Sequence, residues 1–344
     1  MYSCWPIHAL IRQYEPLLRY SGAENYYPLN VLDYVRRCGL YAEDGATPLL
    51  PEGQVTLRAL GRRYTDDPAY YLKFVEPDKP APQLACSPEQ ERLWRLWLAA
   101  GDRGRQASRQ QWAQFVREAG LAPYVRPAAR LQLPSWLRLA LPQEIVRGAA
   151  ESYRQIQEEK PHHYAYYYRY KADQASGYHV LQYWFFYAFN DWASSFGGIN
   201  DHEADWENVT LFLKAGDGGL APQYAAYSWH NWRETRPWGE VELAGGTHPI
   251  VYVGRGSHAS FFAAGKYILA LDYAPGDGLS IGPGQKHPWR GRISLHGKPW
   301  TARYAGLWGA RYGLGRTAPG GPKFNRDGTV RDKWRDPVGW AGLR

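Results

Sequence analysis

His163–Phe189 reads HYAYYYRYKADQASGYHVLQYWFFYAF. Two aromatic-rich runs flank Asp173–Gly177, a stretch of turn-forming residues. Tyr, Trp, Phe and Val suit a pleated surface whose side chains alternate between two faces, and a turn between two such runs predicts a β-hairpin. Working outward, Glu207–Leu213, Tyr224–His230, Pro249–Gly254, Ser257–Phe262 and Tyr267–Asp272 read as further short strands separated by Gly and Pro turns. The fold class expected is mainly β, an antiparallel β-sandwich.

Upstream the period becomes helical. The run PDKPAP at 77–82 marks a linker. Ser87 with Gln90, and Ser108 with Gln111, form capping boxes at helix starts, and Gly120 is placed as a stop. A third helix is predicted from Pro142 to Glu159. The chain divides into an N-terminal arm packing on the core (1–82), a helical insert (83–160), a sandwich core (161–285) and an ordered Gly-, Pro- and Trp-rich C-terminal wrap (286–344).

The net charge of +8 is a property of that wrap, since residues 286–344 carry thirteen Lys and Arg against three Asp and Glu. Such a segment suits nucleic acid, anionic lipid or an acidic patch elsewhere on the same protein. Nucleic acid is the weakest of the partner readings. Three cysteines, Cys4, Cys38 and Cys86, suggest neither a disulfide framework nor a zinc-thiolate site. With no signal-peptide pattern and no membrane-length apolar run, a soluble cytoplasmic protein is expected, exported only by a non-standard route. No phosphate loop, dinucleotide fingerprint or nucleophile elbow is present.

Asn200–Glu207, NDHEADWE, places five ionisable side chains in eight positions in front of an apolar run. If a strand begins near Asp205, then Asp205 and Glu207 share a face and His202 reaches it from the preceding loop. Two carboxylates held together repel, and a divalent cation relieves that: calcium, magnesium or manganese, with zinc compatible. The alternative is neutralisation by Arg or Lys of the basic wrap. Asp191, at the end of the preceding strand, is a further candidate oxygen ligand. His230 and His258 are candidate acid or base residues near strand ends. Gly254 and Gly256 are expected to make a tight turn that presents His258 toward Asp205. Ser257 and His258, as neighbours, do not serve each other as nucleophile and base.

As an ordered set, LQYWFFYAFNDW, HEADWENVTLFL, YSWHNW and HPIVYVGRGSHASFF resemble the vacuolar protein sorting-associated protein 62 family, as do the opening YEPLLRYSGAENYYPLNV and the closing GPKFNRDGTVRDKWRDPVGW. More distantly, HEADWE is similar to the H-R-H-D-W-E core of necrosis- and ethylene-inducing peptide-like proteins, secreted cytolysins with one β-sandwich. That second resemblance implies a divalent cation held by His202, Asp205 and Glu207, with Asp191 matching only loosely, in the service of recognising sphingolipid head groups. Ala204 stands where that motif has its second His.

Three functions follow as expectations. The first is a cation-dependent binding module for an anionic or sugar-bearing ligand, with Trp192, Trp229 and Trp232 as its rim and with peripheral membrane contact. The second is an assembly protein that uses the helical insert to hold a protein partner. The third is a metal-assisted hydrolase using His230 or His258. The lack of a complete acid–base set places binding first.

Overall fold

The computed structural model describes residues 7–42, 45, 47–75, 141, 143–192, 201–216, 218–229, 232–267, 272–310, 312 and 318–344. The predicted hairpin is there, as strands β4 (Ala165–Asp173) and β5 (Tyr178–Asn190). They pair in an antiparallel register running from Tyr167 opposite Trp184 to Asp173 opposite Tyr178. Strand β6 (His202–Gly216) pairs with β5 along nearly its whole length, followed by β7 (Gly219–Trp229) and β8 (Trp232–Pro237). With β15 (Gly291–Ser294) running parallel to β4, they form a six-stranded sheet in the order β15-β4-β5-β6-β7-β8.

The second sheet contains β10 (His248–Val253) beside β1 (Leu17–Arg19). Its remaining strands are β9 (Leu243–Ala244), β11 (Ser260–Phe261) and β14 (Ser280–Ile281). Here β1 runs parallel to β10, so the N-terminal segment supplies a strand to the second sheet. Two small pairs complete the strands: β2 (Gly39–Tyr41) with β3 (Tyr71–Lys73), and β12 (Gly265–Tyr267) with β13 (Asp272–Ala274). Of the single strand expected over Tyr267–Asp272, Tyr267 ends β12 and Asp272 opens β13, paired opposite each other, and 268–271 lie outside the described residues. Likewise only Ser260–Phe261 of the run Ser257–Phe262 is strand, because the preceding residues form a turn.

One core lies between the sheets. Tyr166, Tyr183, Tyr187, Leu211 and Tyr227 from the large sheet meet Leu18, Val251, Val253 and Ile281 from the small one. A second core covers the opposite face of the large sheet. There Trp184, Phe186, Phe189 and Trp206 pack with N-terminal residues such as Tyr34 and Leu60, and with Trp300 and Trp308 near the C-terminus. The helix Gln143–Glu159 joins this layer through Ile145, Ala149, Tyr153 and Ile156. The helices expected at Ser87 and Ser108 lie outside the described residues.

The C-terminal segment is anchored by its aromatics. Trp308 lies 5.4 Å from both Trp206 and Trp300, ring centre to ring centre, with edge-on geometry. At ~25 cal/mol per Å² and ~200 Å² per indole, each buried Trp contributes up to about 5 kcal/mol of transfer free energy. That explains why a Gly- and Pro-rich segment packs as an ordered wrap. Cys38 is buried, and its Sγ donates to the Tyr34 carbonyl at 3.3 Å. Among the described residues no helix is long and apolar enough to cross a membrane.

Candidate functional site

The β6 strand begins at His202, three residues before the expected start, with His202 paired to Asn190. Ala204 has a left-handed backbone, φ +57°, inside this strand. Strand alternation breaks there. Phe189, opposite Glu203, packs in the outer core, whereas Tyr187, opposite Asp205, packs between the sheets. Glu203 and Asp205, which share parity in the sequence, consequently serve different layers.

Glu203 is wholly buried and fully engaged. Its carboxylate accepts from the backbone N–H groups of Phe74 (3.1 Å), Val75 (2.9 Å) and Ala310 (2.9 Å), and from the Tyr312 hydroxyl (2.8 Å). A Cβ added to Gly309 would stand 2.4 Å from Glu203 Cβ, so only glycine lets the wrap come this close. Burial raises the Glu203 carboxyl above its ordinary value, and the four donors work against that rise. This residue clasps the N- and C-terminal segments to β6.

Asp205 is held differently. Its Oδ2 accepts from His258 Nδ1 at 3.0 Å and from Asn190 Nδ2 at 3.4 Å. His258 comes from the turn after β10, closed by Gly254 N–H to Ala259 O (2.8 Å) and His258 N–H to Gly254 O (2.9 Å). Gly256 takes φ +72° in that turn, and a Cβ on Gly254 would lie 2.5 Å from Ser257 Oγ. The two glycines thus carry His258 to Asp205, as their spacing predicts. Ser257 turns away and donates to Asp272 Oδ1.

The His258 ring is fully buried and stacks on Tyr187 at 3.8 Å with 3° between planes. Its Nε2 lies 3.6 Å from Glu24 Oε1, an ion-pair distance too long for a hydrogen bond. Burial by itself lowers the imidazole, but Asp205 and Glu24 outweigh it and raise the group to about 9. His258 is therefore an imidazolium at neutral pH between two carboxylates, with an aromatic face beneath it. Glu24 is in turn fixed by the N–H groups of Asn25, Tyr26 and Gly256.

Glu207 is also buried, yet among the described residues its side chain makes a single long hydrogen bond, with Ser228 Oγ at 3.3 Å. Burial first, and Asp205 second, push its carboxyl well above the usual range, against the pull of Lys333, His258 and Arg331. Lys333 donates to the same Ser228 Oγ at 3.3 Å, and Ser228, whose hydroxyl lies closer still to the Asn208 carbonyl at 2.8 Å, stands between the ammonium and the carboxyl. Cations of the basic wrap thus do approach the carboxylates of β6, as the alternative reading of the motif held.

His202 donates through Nδ1 to the Ala204 carbonyl at 2.7 Å, which fixes Nδ1 as the protonated nitrogen and leaves Nε2 with its lone pair. Burial lowers this imidazole to about 4, although Asp205 acts against it, so the ring is neutral. Asp191 accepts from Asn25 Nδ2 at 3.0 Å. Among the described residues no three or more His, Cys, Asp or Glu side chains are gathered as a ready cation cage.

Of the expected aromatic rim, Trp229 and Trp232 stack across the β7–β8 hairpin at 5.2 Å and 4°. Trp192 is fully buried, so it cannot belong to an open rim. His230 lies outside the described residues. Beside the network opens a cleft of about 610 Å³, lined among others by Trp232, Trp340, Arg331, Lys333 and Arg335. Sequence reading missed Glu24, Lys333, Arg331 and Trp340 as site residues. The excess of basic residues in the wrap was the signal for two of them.

No family model matches the chain, so the resemblance to the vacuolar protein sorting-associated protein 62 family finds no support there. No curated protein matches either. Among solved structures the chain is similar to necrosis and ethylene inducing protein 2 from the causal agent of cocoa's witches' broom disease, at 19% identity and a TM-score of 0.27, over 40% of this chain and 54% of that one. It is also similar to a structure described as a toxin fold for microbial attack and plant defense, at 16% identity and a TM-score of 0.32, over 52% and 68%. A third is NLPPya in complex with glucosamine, at 17% identity and a TM-score of 0.30, over 52% and 67%. The chain spans about half to two thirds of the length of the solved structures it matches, and these are toxin-fold proteins of the necrosis- and ethylene-inducing kind.

Proposed function

We propose that the chain is a binding module that recognises an anionic or sugar-bearing ligand at the cleft beside Asp205 and Glu207. The lining of that cleft carries the reading. Two half-buried indoles, Trp232 and Trp340, line it together with Arg331 and the buried Lys333. Flat indole faces suit sugar rings, and a guanidinium and an ammonium suit anionic groups. Ser228 links Lys333 to Glu207, which makes the cleft continuous with the buried network. Binding is favoured over hydrolysis because His258, protonated and fully buried at neutral pH, is poorly suited to act as a base there.

Cation dependence is a separable part of the proposal. Its support is the neutral His202 with an Nε2 lone pair, and the repulsion between Asp205 and Glu207 that a divalent ion would relieve. Against it stand His258 and Lys333, which already supply positive charge to the same carboxylates. A glycan and liposome panel on the full chain, with and without chelator, tests both parts. Binding of an acidic or amino-sugar glycan or an anionic head group, weakened about tenfold or more by Trp340→Ala, is expected on the magnitude of aromatic anchors. Binding to nothing in the panel overturns the proposal; binding unchanged by chelator removes its cation part.

A further inference from the structure

We propose that Arg331 and Lys333 form an oxyanion site on the cleft floor, which takes the phosphate or sulfate ester of a sugar whose ring lies against Trp340. This rests on the binding-module reading above and names the chemical class of its ligand.

Lys333 is 8% exposed, yet it lines the cleft. Its ammonium has three protons, and one is used, on Ser228 Oγ at 3.3 Å. Its other neighbours are aromatic faces: Trp184 with its ring centre at 5.2 Å and Trp340 at 5.9 Å. No carboxylate lies within ion-pair reach of it among the described residues. Arg331 donates Nε to the Gly321 carbonyl (3.1 Å) and Nη2 to the Gly320 carbonyl (3.4 Å), which fixes the plane of its fork and leaves further N–H groups uncommitted.

The carboxylates that line the cleft, Asp332 and Asp336, are occupied elsewhere. Asp332 pairs with Arg335, and Asp336 pairs with Arg344 and caps the Gly339 N–H. Asp205 accepts from His258, and Glu207 meets Lys333 only through Ser228. Burial first, and the neighbouring Arg331 cation, lower Lys333 to about 8, with Glu207 and Asp205 acting against them. A tetrahedral oxyanion would relieve both costs at once, since it offers three acceptor oxygens to donors arriving from two directions. Such charge-assisted bonds are about twice as strong as neutral ones. Trp340, half-buried with Arg233 at 5.9 Å from its ring centre, then supplies a surface for the sugar.

Calorimetric titration of the full chain at low salt with inorganic phosphate, glucose 6-phosphate and glucose tests this. Glucose 6-phosphate is expected to bind most tightly and glucose most weakly. Lys333→Gln and Arg331→Gln should each weaken both phosphate-bearing probes by about tenfold or more, from the loss of a bond to a charged group. Trp340→Ala should weaken glucose 6-phosphate but not inorganic phosphate. Because Lys333 and Arg331 also hold the wrap in place, Lys333→Arg and Arg331→Lys are run beside them, and retention of phosphate binding by these charge-conserving variants is expected. If glucose 6-phosphate binds no tighter than glucose, or if Lys333→Gln leaves phosphate binding unchanged, the oxyanion site is wrong while the binding module stands. If none of the three probes and nothing in the glycan and liposome panel binds, both readings fall.

Discussion

Glu203 and Glu207 lie four residues apart on one strand, both buried, and they are satisfied in opposite ways. Glu203 accepts four hydrogen bonds, three of them from backbone N–H groups of segments distant in sequence. Glu207 accepts one long bond from a serine and faces a second carboxylate. A buried acid with a full set of donors organises structure. One that is short of donors, next to like charge and beside a cleft, stores an unfavourable interaction that a proton, a cation or a ligand can change. The two residues thus divide the motif NDHEADWE into a clasp and a carboxyl short of donors.

The largest effect should come from the clasp. Glu203→Ala strands three backbone N–H groups and the Tyr312 hydroxyl in the outer core, and breaking a buried network of this kind costs about 3–5 kcal/mol. Chemical denaturation at neutral pH reads it directly. A loss under about 1 kcal/mol, in the range of an ordinary surface change, would mean that the two ends of the chain are held by their aromatics alone.

His258 gives an intermediate effect with a pH signature. Its folded value, about 9, lies above the ordinary value of 6.5, so its stabilisation is complete below pH 6.5 and is lost as pH rises through about 9. The full difference is about 3 kcal/mol at most. Lys333, lowered to about 8, acts in the opposite sense, because folding disfavours its charged form and stability recovers as pH rises above 8. The readout is therefore the difference between wild type and His258→Gln, in which the Lys333 contribution largely cancels. That difference should shrink between pH 6.5 and 9.5. A difference independent of pH would show that His258 is held as a neutral ring by its stack on Tyr187.

These residues also mark how far the sequence could be read. The hairpin from His163 to Phe189 and the order of the later strands were legible because aromatic runs and turns are local signals. The meeting of His258 with Asp205 was legible from Gly254 and Gly256, which make a turn their neighbours could not. Glu203 was not, because a two-residue period puts it on the face of Asp205, and the left-handed Ala204 that separates them carries no signature in its side chain. Glu24 and Lys333 reach the same network from opposite ends of the chain, by closures that no spacing encodes. Trp192 failed as a rim residue for a related reason: an aromatic after a strand reads alike whether it caps a core or faces a ligand.

The smallest effect should come from Glu207, and it is the most discriminating. Burial, and Asp205 beside it, raise the Glu207 carboxyl well above the usual range, so the proton is held more tightly than in an ordinary carboxyl, and a glutamine has nearly the same size and no charge. Glu207→Gln should therefore leave stability within about 0.5 kcal/mol of wild type, as for a substitution that removes no engaged partner. Added calcium or manganese separates the two chains. For His202, Asp205 and Glu207 to take up an ion, Glu207 must be ionised, which its raised carboxyl opposes more at low pH, so the wild-type melting temperature should rise with added ion, more at pH 8 than at pH 6, because only the folded chain presents the donors. Competition from His258 and Lys333 for the same carboxylates keeps that rise to a few degrees, since about 1 kcal/mol moves a chain of this size by about 2–4 °C. Glu207→Gln should show no rise at either pH. If wild type is also silent, the positive charge already provided by His258, Arg331 and Lys333 is sufficient, and the contrast between Glu203 and Glu207 becomes one between a clasp and a proton-bearing edge of the anionic-ligand cleft.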